Sequence, residues 1–264
     1  MTGPARITAA LRRAGAGGEP ALIAYLTAGF PERARFGAHV RAIAAAADVI
    51  EVGVPFTDPM ADGVTIQRAS FAALAQGVTL RWILDELEQL QPLPVPVLLM
   101  SYLNPLLAFG PLPLAARAAR AGVSGFIVPD LPLDESSELR AALRGEGLAL
   151  VQMVTPVTEQ ERLGQLCESS EGFLYAVTMT GTTGRQVSVP PETLRYLDAV
   201  RARSPLPVCA GFGIRSREHV AKLKGHVDGV VVGSALVEVL EREEDATRWL
   251  RALRGPLAAR GAAR

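Results

Sequence analysis

Eight short apolar segments that alternate with segments of helical periodicity predict an α/β fold, a single (β/α)8 TIM barrel. They recur at intervals of roughly 25 to 30 residues, as parallel strands joined by right-handed crossovers do. A length of 264 residues with 49% hydrophobic content suits one barrel, so we expect residues 1–264 to form one catalytic domain. The alternative is a doubly wound open sheet. We favour the barrel because the first strand is followed by Thr-Ala-Gly-Phe-Pro, which lacks the Gly-x-Gly-x-x-Gly turn of a dinucleotide fold.

The predicted elements follow each other in a regular order. An extra amphipathic helix at 5–14 precedes the barrel, and the glycines and proline that follow it end it. The strands are predicted at 21–29, 48–54, 95–102, 123–129, 148–154, 172–179, 207–212 and 229–233. The helical segments are predicted at 31–47, 61–91, 111–121, 133–145, 158–168, 191–202, 216–224 and 234–260, with added helices after strands 2 and 8.

Glu51 interrupts the second apolar run, whose short length and β-branched residues indicate a buried strand. Because strand side chains alternate, Glu51 should share a face with Val49 and Gly53, where a ligand has room. One interpretation is an ion pair with an arginine from elsewhere in the chain. The other is a carboxyl with a raised pKa that donates a proton at neutral pH.

Asp62 is the second acid of this stretch. It follows Pro55 and Pro59 in a segment that cannot continue a strand. It is either the N-cap of the next helix or a functional carboxylate above the strand end that carries Glu51.

The charge and cysteine content exclude several functions. With 27 basic and 27 acidic residues the formal charge is zero, so we expect no nucleic acid and no membrane as partners. Cys167 and Cys209 lack metal-ligand spacing to the three histidines, so we expect neither a metal site nor a disulfide. Without a signal-peptide pattern or a run of about 18 apolar residues, the expected location is cytoplasmic.

The loops after strands seven and eight predict a phosphate site. In a barrel, these loops and a helix N-terminus are the usual position for a phosphate. Gly211, Gly213 and Gly233 let backbone N–H groups approach an anion, although each alone could serve a tight turn. Arg215 either assists or is solvated, since the helix dipole can hold the anion.

Two further features are expected at the barrel mouth. Residues 180–190 are polar and glycine-bearing, which is typical of a mobile lid, and Thr183 is the hydroxyl best placed to reach Asp62. Four aromatic residues near strand ends predict a flat-walled apolar pocket, unless they serve core packing: Tyr25, Tyr102, Tyr175 and Phe212.

Five motifs occur in one order across nearly the whole chain. They are Glu-Val-Gly-Val-Pro-Phe-Thr-Asp-Pro-Met-Ala-Asp-Gly from Glu51, Asn104-Pro105, Gly-x-Thr-Gly from Gly181, Gly-Phe-Gly-Ile from Gly211, and Gly-Ser-Ala from Gly233. In these motifs the chain resembles the tryptophan synthase alpha subunit family.

The resemblance implies a carbon-carbon lyase of L-tryptophan biosynthesis that uses no cofactor and no metal. Such an enzyme cleaves indole-3-glycerol phosphate to indole and glyceraldehyde 3-phosphate by retro-aldol chemistry. Glu51 matches the acid that protonates indole C3, and Asp62 the carboxylate that stabilises charge at the indole N–H. Tyr102, Tyr175, Thr183 and Phe212 match the pocket and lid, and Gly184, Gly213, Gly233 and Ser234 match the phosphate-binding positions.

The resemblance also implies a partner, a beta subunit that carries pyridoxal phosphate. The two form an α2β2 heterotetramer in which indole passes through an internal tunnel. The proline-rich loops at 53–60 and 103–113 are expected to face this subunit.

The chain departs from the family pattern at four positions, none of them a catalytic group: Thr57, Val64, Thr182 and Arg185, where Ser, Pro, Val and Ala are usual. The last two lie in the lid and bear on its closure and its coupling to a partner. Three alternatives follow: a stand-alone lyase that releases indole, a chain that chiefly activates a beta subunit, and a phosphate-sugar isomerase or another barrel lyase.

Overall fold

The computed structural model describes residues 1–178, 189–211 and 213–254. Eight parallel strands close into a barrel, each pairing with its neighbours in sequence and β8 pairing with β1, which confirms the predicted (β/α)8 fold. The strands are Ala21–Thr27 (β1), Val49–Gly53 (β2), Val97–Met100 (β3), Val123–Ile127 (β4), Ala149–Val154 (β5), Leu174–Val177 (β6), Val208–Gly211 (β7) and Gly229–Val232 (β8).

The helices follow the predicted order. They are Gly3–Gly15 (α1), Phe36–Ala44 (α2), Val64–Ala75 (α3), Leu80–Gln89 (α4), Leu103–Phe109 (α5), Pro111–Arg120 (α6), Ser137–Gly145 (α7), Gln160–Ser169 (α8), Pro191–Arg203 (α9), Arg217–Leu223 (α10), Ser234–Glu241 (α11) and Ala246–Leu253 (α12). Short 3-10 turns at Arg33–Arg35 and Leu133–Glu135 precede α2 and α7. None of the helices described is long and apolar enough to cross a bilayer.

One part of the chain differs from its prediction: the segment 103–113, expected as a loop, contains α5. Pro105 lies in the first turn of α5, where a missing N–H costs no helical hydrogen bond. Gly110, at φ +90°, ends α5, and Pro111 starts α6 at its first position. Prolines that suggest a loop in the sequence thus stand at helix starts.

The strands divide the core into two layers, as their alternation predicts. Alternate residues such as Ile23, Val49 and Leu98 fill the barrel interior. Their neighbours, such as Ile50 and Val52, pack outward against the helices. Burial on both faces explains why the strands are almost continuously apolar, and it makes an inward-pointing acid conspicuous.

Helix α1 closes the amino-terminal end of the barrel, which is the end opposite the strand carboxyl termini. Ile7 and Leu11 are fully buried against the interior layer. The Gly3 N–H donates to the Gly147 carbonyl at 2.7 Å, and the Thr8 hydroxyl donates to the Gly172 carbonyl at 2.7 Å.

At this same end, three carboxylates each accept a hydrogen bond from a backbone N–H group of the preceding strand. Each carboxylate also forms an ion pair with an arginine. We call each set of carboxylate, N–H group and arginine a bottom clasp. The acids and N–H groups are Asp48 with Leu22, Glu171 with Leu150, and Asp228 with Val208, all at 2.8 Å. The arginines are, in the same order, Arg254, Arg144 and Arg201. Each clasp joins an odd-numbered strand to the next, so charge pairs at this end serve stability rather than chemistry.

Candidate active site

Glu51 lies in the middle of β2 with its side chain inside the barrel, as predicted. It is paired in register with Tyr25 of β1 and Leu98 of β3. The residue is 1% exposed, and its Oε2 atom has no hydrogen-bond partner. Within the described ranges no cationic side chain forms an ion pair with it, so the arginine-paired alternative has no support among these residues. A buried carboxyl without a counter-ion is costly to ionise.

The environment of Glu51 therefore favours the protonated form. Burial, and secondly the negative charge of Asp62, raise the pKa of Glu51 to about 8. At neutral pH this carboxyl holds its proton and can act as an acid.

Asp62 lies in a turn beyond the end of β2. Its N–H donates to the Pro59 carbonyl at 3.1 Å, and its own carbonyl accepts from the Gln67 amide at 2.9 Å. The N-cap residue of α3 is Gly63, and no side chain caps that helix, so Asp62 does not serve as the cap. Its carboxyl is instead hydrogen-bonded to Tyr102.

The pKa values of the two carboxyls differ. Burial raises the pKa of Asp62 to about 6, and the hydroxyl of Tyr102, hydrogen-bonded to Asp62, lowers it in opposition. Between about pH 6 and pH 8 the pair therefore holds a carboxylate at Asp62 and a neutral acid at Glu51. Such a separation assigns the base-like and acid roles.

Tyr102, expected as a pocket wall, also holds the Asp62 turn. Its hydroxyl oxygen accepts the Ala61 N–H at 2.8 Å, which leaves its proton for the carboxylate of Asp62. Its ring stacks on Phe56 with centroids 5.2 Å apart. Neither Phe56 nor the Ala61 amide was expected from the sequence, although Phe56 belongs to the first motif and follows the strand end.

Tyr25 and Tyr175 are buried in the interior near the two acids. The Tyr25 hydroxyl is 3.3 Å from Thr27 Oγ1, a contact that the i, i+2 spacing on β1 could have indicated. An added Cβ at Gly53 would overlap the Tyr25 hydroxyl, and one at Gly211 would overlap the Tyr175 hydroxyl. These two glycines therefore make room for the rings. Burial, followed by the charge of the carboxyls, raises the pKa of both phenols.

The predicted phosphate loops are adjacent, because β7 and β8 pair in parallel. Gly213 has φ +86°, a conformation that favours glycine. Gly233 is the N-cap of α11, and Ser234 is the first residue of this helix. The nearest atoms to a Cβ built at Gly233 belong to Ile66 and Tyr25, at 3.8 Å, so this helix start opens beside the aromatic pocket.

Several predicted residues lie outside the described ranges: Thr183, Gly184 and Phe212, and residues 180–188 of the expected lid with Thr182 and Arg185. Of the expected lid, Val189 and Pro190 are described, and Pro190 is the N-cap of α9. In the described part of the chain, no group of three or more His, Cys, Asp or Glu side chains is placed to hold a metal ion.

Comparison with known proteins gives one consistent match. The family model described as tryptophan synthase alpha chain matches residues 11–255. The tryptophan synthase alpha chain of Carboxydothermus hydrogenoformans is 46% identical over 226 residues, which are 85% of each chain. That of Desulfovibrio desulfuricans is 45% identical over 247 residues, covering 90% of this chain and 97% of the relative.

Solved structures agree with the sequence relatives. A chain of Mycobacterium tuberculosis tryptophan synthase superposes with a TM-score of 0.86 at 37% identity, covering 94% of this chain and 96% of that one. The alpha chain from Legionella pneumophila gives 0.83 at 32% identity, with 96% and 94% covered.

Proposed function

This chain belongs to the tryptophan synthase alpha chain family, and we propose that Glu51 and Asp62 carry out its reaction. The family catalyses the alpha reaction of tryptophan biosynthesis, in which a lyase cleaves indole-3-glycerol phosphate. The observation that carries the proposal is the pair of carboxyls on β2 and in the turn beyond it, Glu51 buried and Asp62 half-buried. Glu51 has no counter-ion among the residues that the structure describes and a pKa near 8, and Asp62 has a pKa near 6.

Cleavage of the bond between indole C3 and the glycerol chain needs a proton on carbon and a charge held at nitrogen. Glu51, protonated at neutral pH, gives its proton to C3, and the ring nitrogen becomes positively charged. The carboxylate of Asp62 stabilises this charge through the indole N–H.

The second half of the reaction returns the proton. Glu51, now a carboxylate, takes the proton of the glycerol hydroxyl next to C3. The electrons of the O–H bond form the aldehyde C=O, and those of the C–C bond neutralise the ring nitrogen. Indole and glyceraldehyde 3-phosphate result, and Glu51 is neutral again, so no other acid or base is consumed.

The substrate has two further ends to bind. We assign the indole ring to Tyr25, Tyr102 and Tyr175, which supply buried aromatic surface around the acids, with Thr183 and Phe212 completing the pocket. We assign the phosphate to N–H groups at Gly213, Gly233 and Ser234, together with Gly184. Helix α11 has no side-chain cap, so the N–H groups at its start are available to an anion, and this supports the assignment.

The experiment is the rate of indole release by Glu51→Gln and Asp62→Asn variants of the isolated chain. Loss of a general acid should lower kcat by roughly 100- to 10,000-fold. The control is Asp58→Asn, the same chemical change at an exposed residue of the same loop, which should stay within about twofold of the parent. Normal turnover in Glu51→Gln would refute the proposal.

An alpha chain of tryptophan synthase pairs with a beta chain. We propose that here the partner is a pyridoxal-phosphate beta subunit in an α2β2 heterotetramer that receives indole through a tunnel. Exposed apolar side chains at the barrel mouth support a partner surface: Met60 is 86%, Leu107 49% and Leu112 74% exposed. The cytoplasmic location stays a prediction.

Adding a purified beta subunit tests this assembly and the alternatives together. Complex formation with faster indole release supports the heterotetramer. A fast monomeric chain that ignores the beta subunit would indicate a stand-alone lyase, and a chain inactive alone but activating its partner would indicate a chiefly allosteric role.

A further inference from the structure

We infer that Arg215 and Glu238 form a positioning pair that sets the affinity of the enzyme for the phosphate end of its substrate. The inference rests on the proposed phosphate site. Arg215 is two residues beyond Gly213, in the loop after β7, and its guanidinium pairs with the carboxylate of Glu238 on α11. The sequence left open whether this arginine assists a phosphate or is solvated, and the ion pair shows that it is held.

The position of the pair along α11 places it beside the phosphate loops. Glu238 comes four residues after Ser234, which is about one helical turn, or roughly 6 Å along the axis. The Arg215 backbone N–H also donates to His219 Nδ1 at 3.3 Å, which anchors the loop to α10. Glu238 therefore fixes the guanidinium about one turn from the start of α11, and His219 fixes the backbone of the same arginine.

Glu238 also contacts the helix that follows the catalytic turn. The Thr65 hydroxyl donates to Glu238 Oε1 at 3.4 Å, and Arg68 pairs with Glu241 at 2.6 Å. Helix α3, which carries Thr65 and Arg68, begins directly after Asp62 and Gly63. Glu238 thus joins the loop after β7, helix α11 and the start of α3.

Arg215 and Glu238 carry opposite charges, so the loss of either one changes the net charge that a bound phosphate dianion experiences. Without Arg215, the carboxylate of Glu238 would face the dianion uncompensated. Without Glu238, the free cation of Arg215 would attract it. A unit charge that lies one Debye length, roughly 8 Å, from a dianion in water changes binding by about two- to sixfold, the smaller value applying at physiological salt.

The test measures binding of glycerol 3-phosphate to the ligand-free chain by calorimetry, together with KM and kcat for indole release. Arg215→Gln should raise both Kd and KM by about two- to sixfold, with the larger effect at low salt, and leave kcat within about twofold. Arg215→Lys, which keeps the charge, should stay close to the parent. Glu238→Gln should not weaken binding, and the double variant should return toward the parent because the two changes are coupled.

Two controls separate the possible failures. Arg242→Gln removes an arginine of similar exposure that pairs with Glu244 at 2.6 Å, eight residues from Ser234, and should leave Kd unchanged. An equal effect of Arg215→Gln and Arg242→Gln, or a fall in kcat alone, would overturn the inference. Ser234→Asp tests the site itself: if this added negative charge does not weaken glycerol 3-phosphate binding, the phosphate assignment fails and the inference with it.

Discussion

The pH dependence of kcat/KM should report the different protonation states that the reaction needs at the two carboxyls. The reaction needs Asp62 ionised and Glu51 protonated, and their pKa values are about 6 and about 8. As pH falls through 6, Asp62 gains a proton and can no longer stabilise the ring nitrogen. As pH rises through 8, Glu51 loses the proton that C3 must receive. The dependence of kcat/KM on pH should therefore be a bell.

The two pKa values fix its shape. At pH 7 about four-fifths of the enzyme is in the active form, and at pH 5 or pH 9 only about a tenth is. We thus expect kcat/KM to fall about ninefold from its maximum near pH 7 to pH 5, and about ninefold from pH 7 to pH 9.

The assay is discontinuous detection of indole after an acid quench, which avoids coupling enzymes with pH optima of their own. The substrate phosphate also titrates near pH 6 and could produce the acid limb alone. The residual activity of Asp62→Asn distinguishes the two, because its acid limb should disappear if Asp62 is the group responsible. An unchanged acid limb in this variant, or activity that is flat from pH 7 to 10 in the parent, would refute the assignment.

Three further predictions follow from the same pocket. Tyr102→Phe removes the hydrogen bond that lowers the pKa of Asp62, so the acid limb of the kcat/KM profile should move to higher pH. Glu51→Gln should stabilise the fold. The pKa of Glu51 is raised in the folded state, which binds the extra proton, so parent stability is lost as pH rises from about 4.5 to about 8. Urea unfolding should show the advantage of the variant growing by about 3 kcal/mol between pH 5 and pH 8. Gly53→Ala should destabilise the chain by about 1–3 kcal/mol, because its methyl group would displace Tyr25; thermal unfolding beside an exposed Gly145→Ala control would show it.

The sequence is sufficient to predict where Glu51 points. Strand alternation alone places it inward with Val49 and Gly53, and the structure confirms this. The arginine-paired alternative could not be rejected from the sequence, because an ion pair depends on side chains that only the closed barrel brings near. That Glu51 Oε2 has no hydrogen-bond partner among the described residues is a property of the folded interior.

Other features depend on local geometry that residue patterns do not encode. In the sequence, Asp62 followed by Gly63 fits a helix cap as well as it fits a functional carboxylate. The hydrogen bonds of the Asp62 backbone with Pro59 and with the Gln67 side chain fix Asp62 in a turn outside the helix. The sequence does not predict helix α5, because Pro105 suggests a loop unless it falls in the first turn of a helix. The role of Tyr102 as a holder of the Asp62 turn depends on the amide of Ala61, a group that every residue type carries.

The bottom clasps have a consequence for how the chain is made. The clasp between β1 and β2 is completed by Arg254, which lies 206 positions after Asp48. During synthesis from the amino terminus, the first two strands leave the ribosome long before this arginine does. Until then the carboxylate of Asp48, whose side chain is 14% exposed in the folded chain, has no arginine to pair with and depends on water and on the Leu22 N–H for its hydrogen bonds. The clasps of β5 with β6 and β7 with β8 use arginines that are within 30 residues of their acids. The ion pairs between β5 and β6 and between β7 and β8 can therefore form as soon as these strands leave the ribosome. The ion pair between Asp48 and Arg254 can form only near the end of translation.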